Sequence, residues 1–578
     1  MTAIPRSRLS IRLRARVLSA FFILVALLLA IRLYFIQIVH GEDYQRNAMG
    51  QYVDTNPDLV DRGSIYFTTK DKVAVSAAVM QNGWRVAIQP PHLVDADAAY
   101  KALNAIVPID RNRFMQSTAK KNDPYEEVAF RLDDAASKAV RALRIPGVIL
   151  VRDQWRFYPA QKLAANVLGF VGYSGERRRG LYGLENFYQD TLAHESASIS
   201  INPFAEIFTS AQTLITSDPA AHSGNIITSI EPSVERELEE TLDIVMKTYT
   251  PKRAGGIVMD PHTGEIIAMA LRPSFDPNTY NLESDPAVYS NPMVAGRYEL
   301  GSIMKPLTVA AGLDAGAITP ETTYQDRGCI TVSTYRICNF DQKSRGLATM
   351  QDVLNFSLNL GVSFIADKMG YPVFTRYMRA YGLGEKTGID LPGEVTGDLS
   401  PLGDGLGPNI NYDTAAYGQG ISVSPIAMTR ALAVLANGGI LPTPHVVTAI
   451  KYDSGITRAV SIPEGRRVLK SETAATVTNM LVKVFDTELL HGTLKQEHYA
   501  IAAKTGTAQI PKPGGGYYPE GTYLHSFFGY FPAHDPRFIV FLFAIEPQGQ
   551  TYASATLARP FMDIAHFLIN YYNIPPDR

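Results

Sequence analysis

The sequence predicts an α+β protein built on one antiparallel sheet, for two reasons. Strand-like runs open and close the carboxy-terminal part of the chain, and helical and irregular segments fill the stretch between them. At 578 residues the chain also exceeds what one hydrophobic core serves, so two or more folded domains are expected.

Taken in order, the amino terminus carries Arg6, Arg8, Arg12, Arg14 and Arg16 with no acid, and then the apolar run VLSAFFILVALLLAI from Val17. Continued to Val39 with Arg32 and Gln37 as interruptions, the run spans roughly 34 Å as a helix at about 1.5 Å per residue, enough to cross a bilayer. A cleaved signal peptide would have a shorter apolar core ending in small residues, whereas bulky IRLYF follows Ala30, and a buried core helix fits no better. The arginines hold the short end in the cytoplasm, which places the rest outside. The expected layout is therefore a cytoplasmic tail (1–16), a single membrane anchor (17–39), a mixed spacer or interaction domain (40–225) and a second domain (226–578).

The second domain begins where the pattern changes. ITSIEP reads as a short strand and turn, and VERELEETLDIVMKTY as a helix of good helix formers with acids in its first turn. AGGIVMD, PHTG and EIIAMAL read as strand, turn and strand. Near the end YAIAAKTGTAQ, SFFGYFPA and RFIVFLFAI read as strands, and FMDIAHFLINYY as a closing amphipathic helix.

Composition excludes several functions. A formal net charge of -2 gives no broad positive surface for nucleic acid. The histidines form no H-E-x-x-H pair, and the spacing of Cys329 and Cys338 fits no metal motif, so neither a metal nor another cofactor is expected. The two cysteines flank ITVSTYRI, which partly alternates like a hairpin; outside the cytoplasm they can pair across it, and otherwise they stay as free thiols.

Chemistry concentrates in three places. In YELGSIMKPLTVAAGL, Ser302 and Lys305 lie three apart at a helix start, an S-x-x-K arrangement. A serine hydroxyl attacks only once its proton is taken, and a lysine takes it only when burial or a neighbouring cation lowers its pKa. Such tetrads also arise by chance on exposed helices. Ser357 and Asn359 in LNFSLNLG add a hydroxyl to relay a proton and an amide to hold a peptide group, although a polar helix connection would read the same way. Lys504, Thr505, Gly506 and Thr507 follow strand-like YAIAA. There an edge strand can take a substrate alongside it, Lys504 and Thr505 suit a carboxylate, Gly506 allows close approach and the Thr507 N–H can meet an oxyanion. A second K-T-G at Lys386, Thr387 and Gly388 lies in a turn-rich stretch and is set aside.

In this order S-x-x-K, S-x-N and K-T-G-T resemble the signature of serine penicillin-binding proteins and serine β-lactamases. RFYPAQKLAANVLGFVG (Arg156–Gly172), GLEN (Gly183–Asn186), TGIDLPGE (Thr387–Glu394) and YGQGISVSP (Tyr417–Pro425) extend the likeness to class B penicillin-binding proteins over most of the chain. Leu300 stands where that family usually has proline, and DRGSIYFTTKDKVAVS matches the family's pedestal motif loosely. The resemblance implies a penicillin-binding transpeptidase fold on an elongated pedestal, anchored in the inner membrane with the catalytic domain periplasmic. It implies a D,D-transpeptidase cross-linking peptidoglycan stem peptides through a serine acyl-enzyme on Ser302, inhibited by β-lactams and closer to the division type than to the elongation type. Its expected partners are stem peptides or their lipid-linked precursor, the membrane glycosyltransferase of the septal machinery and other division proteins. Rival readings are a hydrolytic carboxypeptidase or β-lactamase, and a membrane scaffold or β-lactam sensor.

Overall fold

The structure is a computed structural model that describes residues 9–34, residues 62–193 except 176, and residues 223–578 except 333 and 406. Two compact units emerge, Met1–Val60 and Asp61–Arg578. In the first, Leu9–Tyr34 is a helix whose apolar side chains, Phe21, Phe22 and Leu28 among them, stand exposed. No helix among the described residues is long and apolar enough to cross a membrane. The end of the expected anchor, residues 35–39, lies outside the described residues, as do residues 194–222 just before the expected domain start.

Within the second unit a five-stranded sheet runs in the order Ala502–Gln509, Tyr523–Phe531, Phe538–Ile545, Arg253–Met259 and Ile266–Arg272. All neighbours are antiparallel, as the order of strand and helix signals predicts. Phe538–Ile545 is central and buried on both faces, which is why it reads as an unbroken apolar run rather than an alternating one. On one face pack the helices Pro232–Tyr249 and Ala553–Tyr572, with Leu238, Leu242, Phe527, Leu557, Phe561 and Leu568 in one core. The first of these starts at Pro232, where a missing N–H costs nothing, and the Glu231 carboxylate caps it by accepting from the N–H groups of Ser233 and Val234. On the other face a larger core gathers Lys305–Asp314, Asn359–Met369, Pro425–Ala436 and Ser471–Lys483. Pro425–Ala436 is buried at every position, as a helix apolar all round must be.

One buried acid in this domain makes its stability pH-dependent. Glu235 accepts from the Met269 N–H at 2.8 Å through one oxygen, and burial together with the neighbouring Glu239 pushes its pKa up to about 8. The folded state therefore binds a proton that the unfolded chain releases above roughly pH 4.5, so stability falls as pH rises from there to about 8. Glu235→Gln is expected to flatten this loss and to be more stable than wild type at pH 9, which urea unfolding at pH 5, 7 and 9 measures.

A seven-stranded sheet joins the two halves of the unit. Gly224–Thr228 pairs parallel with Ile65–Thr68 and antiparallel with Val447–Tyr452, and Ala74–Ile88 continues to Glu126–Leu132 and Val148–Phe157. Beside it Glu185, fully buried, accepts from Arg62 Nε and Arg156 Nε at 2.6 Å each and from the Tyr158 hydroxyl at 3.2 Å. Burial opposes its ionisation, yet the two guanidiniums hold it below the usual carboxylate range. A second tie is Asp390, which accepts from the N–H groups of Val446 and Val447 at 2.6 and 2.8 Å and from the Tyr188 hydroxyl at 2.9 Å.

Cys329 and Cys338 face each other across the hairpin Cys329–Val332/Tyr335–Cys338 and are joined by a disulfide. Replacing both by serine is expected to cost about 2–3 kcal/mol of stability, the closure entropy of a short loop, measurable by denaturant unfolding.

Candidate active site

Gly301–Met304 forms a 3-10 turn that runs into the helix Lys305–Asp314. Ser302 therefore lies in the 3-10 turn and Lys305 opens the α-helix, so the pair straddles the junction rather than sharing the α-helical turn the sequence predicts. The turn is gripped from two sides. The Gly301 N–H donates to the Gly418 carbonyl at 3.1 Å, and the Leu300 carbonyl accepts from Ser526 Oγ at 2.8 Å. Ser302 is half-buried, while Lys305 is fully buried.

Lys305 Nζ donates to the Ser357 carbonyl at 2.5 Å and to Asn359 Oδ1 at 2.7 Å, and lies 3.0 Å from Ser357 Oγ. Burial first, and then the charge of Lys504, push its pKa well below the usual ammonium range. A neutral amine at this place has a lone pair for a serine proton. Ser357 reaches it from a left-handed backbone (φ 51°) between the helices Met350–Asn355 and Asn359–Met369. Backbone of this kind costs a non-glycine residue about 1–3 kcal/mol and is concentrated at functional sites.

Asn359 has structural partners beyond those the sequence suggests. Its carbonyl end accepts from Lys305 and its amide end donates to the Cys338 carbonyl at 2.8 Å, so it orients the lysine and has one further amide N–H. Asn339, next to that carbonyl, accepts from the Leu360 N–H at 3.3 Å and donates to the buried Asp326 carboxylate.

Lys504–Thr507 lies on Ala502–Gln509, the edge strand of the five-stranded sheet. Lys504 is buried, which pushes its pKa down to about 8, and its Nζ donates to the Thr505 carbonyl at 3.1 Å. Thr505 and Thr507 are half-buried. Gly506 is demanded by packing: a β-carbon there would stand 2.3 Å from Ser526 Oγ and 2.6 Å from the Leu300 carbonyl oxygen. The strand thereby presses directly on the serine turn, whereas the sequence reading gives this glycine to substrate approach. The other K-T-G is occupied structurally, the Glu394 carboxylate accepting from the N–H and hydroxyl of Thr387 and from the Gly388 N–H.

Sequence reasoning missed Ser526, the Cys338 carbonyl and Gly418, which hold the site together. Only Gly418 carried a signal, as part of YGQG, because the others act across long stretches of chain. Among the described residues no cluster suited to a metal ion occurs.

Comparison with known proteins places the chain. Residues 254–565, more than half of it, match the family described as penicillin binding protein transpeptidase domain. The chain belongs to that family. It is similar to stage V sporulation protein D of Bacillus subtilis, at 29% identity over 96% of this chain and 85% of that protein. It is also similar to the peptidoglycan D,D-transpeptidase FtsI of Buchnera aphidicola, at 24% identity over 98% of this chain and 96% of the relative. The crystal structure of penicillin binding protein 3 from Mycobacterium tuberculosis complexed with aztreonam superposes with TM-score 0.68 over 89% of this chain and 97% of that one. At 23% identity that likeness shows the fold, the penicillin-binding transpeptidase fold expected from the sequence.

Proposed function

We propose that this penicillin-binding protein is a serine D,D-transpeptidase of the division type, cross-linking peptidoglycan stem peptides at the septum. The observation that carries the mechanism is the fully buried Lys305 amine, held by Ser357 and Asn359 beside the Ser302 turn. Lys305 takes the proton of Ser302, whose Oγ attacks the carbonyl of the penultimate D-alanine of a stem pentapeptide. The C–N bond to the terminal D-alanine breaks, the proton passes through Lys305 and Ser357 to the leaving amine, and an ester on Ser302 remains. An amine from a neighbouring stem then attacks the ester carbonyl and gives up a proton through Ser357 and Lys305, the C–O bond to Ser302 breaks, and Ser302 Oγ takes that proton back as the cross-linked amide leaves. Lys504 and Thr505 bind the donor carboxylate, Thr507 and the Ser302 N–H stabilise the oxyanion, and the free N–H of Asn359 holds a peptide group. A β-lactam acylates the same serine because its strained amide stands in for the donor peptide bond.

The names of the curated relatives support the division-type role. The basic start and exposed apolar helix of the first unit support a single-pass anchor in the inner membrane with the catalytic domain periplasmic. Residues 40–225 serve as the pedestal, and residues 226–578 as the transpeptidase domain. The partners are the lipid-linked stem-peptide precursor, the septal membrane glycosyltransferase and other division proteins. The full chain in detergent, given a stem-peptide thioester and a D-amino-acid acceptor, is expected to release thiol and form the exchanged peptide. Thiol release that ignores the acceptor would make it a hydrolase, and no thiol release would make it a scaffold.

A further inference from the structure

The two N–H groups assigned to the oxyanion come from different elements, Ser302 from the turn Gly301–Met304 and Thr507 from the edge strand Ala502–Gln509. On one side the turn is tied by backbone alone: the Gly301 N–H donates to the Gly418 carbonyl at 3.1 Å, and just ahead of it Tyr298 and Val423 exchange bonds at 2.9 and 3.0 Å. Towards the strand, among the described residues, no backbone hydrogen bond joins Leu300–Met304 to Ala502–Gln509.

The gap is bridged from the next strand, Tyr523–Phe531. Ser526 pairs with Gly506 in the sheet and is fully buried, and its hydroxyl donates past that glycine to the Leu300 carbonyl at 2.8 Å, the Gly506 carbonyl lying further off at 3.4 Å. The path is open because residue 506 has no side chain: a β-carbon there would stand 2.3 Å from Ser526 Oγ and 2.6 Å from the Leu300 oxygen. A serine hydroxyl has one proton to give, and here the turn takes it. Leu300 is itself buried, and a buried carbonyl left without a donor is costly, so loss of this bond shifts the turn.

We propose that Ser526 is a positioning residue of the acylation: by holding the Leu300 carbonyl through the opening at Gly506, it sets the Ser302 N–H against the Thr507 N–H so that both meet the oxyanion. The inference rests on the reading of this cleft as the acyl-donor site. Ser526 touches neither donor nor acceptor, so its effect belongs to the transition state and not to binding.

The test is stopped-flow acylation of the full chain over a range of benzylpenicillin concentrations, which separates the dissociation constant of the non-covalent complex from the acylation rate constant. Infrared difference spectra of the acyl-enzyme, with carbon-13 at the reacting carbonyl, report how strongly that carbonyl is polarised. Ser526→Ala is expected to lower the acylation rate constant about ten- to hundred-fold, less than the outright loss of one oxyanion donor, and to leave the dissociation constant unchanged. Its ester carbonyl band is expected to move to higher wavenumber. Ser526→Cys, which keeps a weaker donor, is expected to fall between wild type and Ser526→Ala in both readings, and it carries the test alone if Ser526→Ala does not fold. A wild-type rate constant and band position in the folded variants, or a loss confined to the dissociation constant, overturns the proposal while the site reading stands. Failure of the wild-type chain to be acylated overturns the site reading first, and the proposal with it.

Discussion

Lys305→Met slows acylation by penicillin about a hundred- to ten-thousand-fold, the range expected for removing a positioned general base. Methionine fills the buried channel with similar volume and no charge, so the fold is expected to hold and the loss to fall on the rate. Stopped-flow acylation of the full chain, with melting of both proteins as the folding control, checks it. The pH profile distinguishes this role from a structural one. The wild-type rate rises as Lys305 loses its proton, at a pH well below the ordinary ammonium range because the amine is buried and faces Lys504. On the proposed mechanism it falls again above about pH 8, where Lys504 loses the charge assigned to the donor carboxylate. Lys305→Met is expected to lose the rising limb and keep the falling one.

The second large effect is on stability. Glu185→Gln is expected to cost about 3–5 kcal/mol, because it leaves the Arg62 and Arg156 guanidiniums buried against a neutral amide. The carboxylate also ties Arg62, at the entrance to Ile65–Thr68, to the end of Val148–Phe157, so the seven-stranded sheet loosens with it. Urea unfolding followed by circular dichroism measures the cost. The triple replacement Arg62→Met, Arg156→Met and Glu185→Leu is expected to lose less than the single one, since it removes the buried charges together.

The five-stranded sheet was legible because its strands are short apolar runs bounded by turn residues, and its two covering helices were legible as amphipathic runs, although the second begins at Ala553, ahead of the run FMDIAHFLINYY, because Tyr552 offers no side-chain cap to mark that start. The three motifs were legible because each is local: a serine and lysine three apart, a serine and asparagine two apart, four consecutive strand residues. What brings them together was not. Ser526 bonds the Leu300 carbonyl and Cys338 bonds Asn359 over separations that no periodicity encodes. For the same reason the sequence does not show the packing constraint on Gly506, which comes from the turn behind the strand. The joining of the two halves through Gly224–Thr228 was equally hidden, since a strand's sequence does not say which partner pairs with it.

The central claim is that Ser302 is the acylated nucleophile, and mass spectrometry of the full chain after treatment with fluorescent penicillin tests it most directly. A stable adduct mapped to the peptide containing Ser302, and absent in Ser302→Ala, is the predicted result; a wild-type chain without adduct, or an adduct that persists in Ser302→Ala, would contradict it.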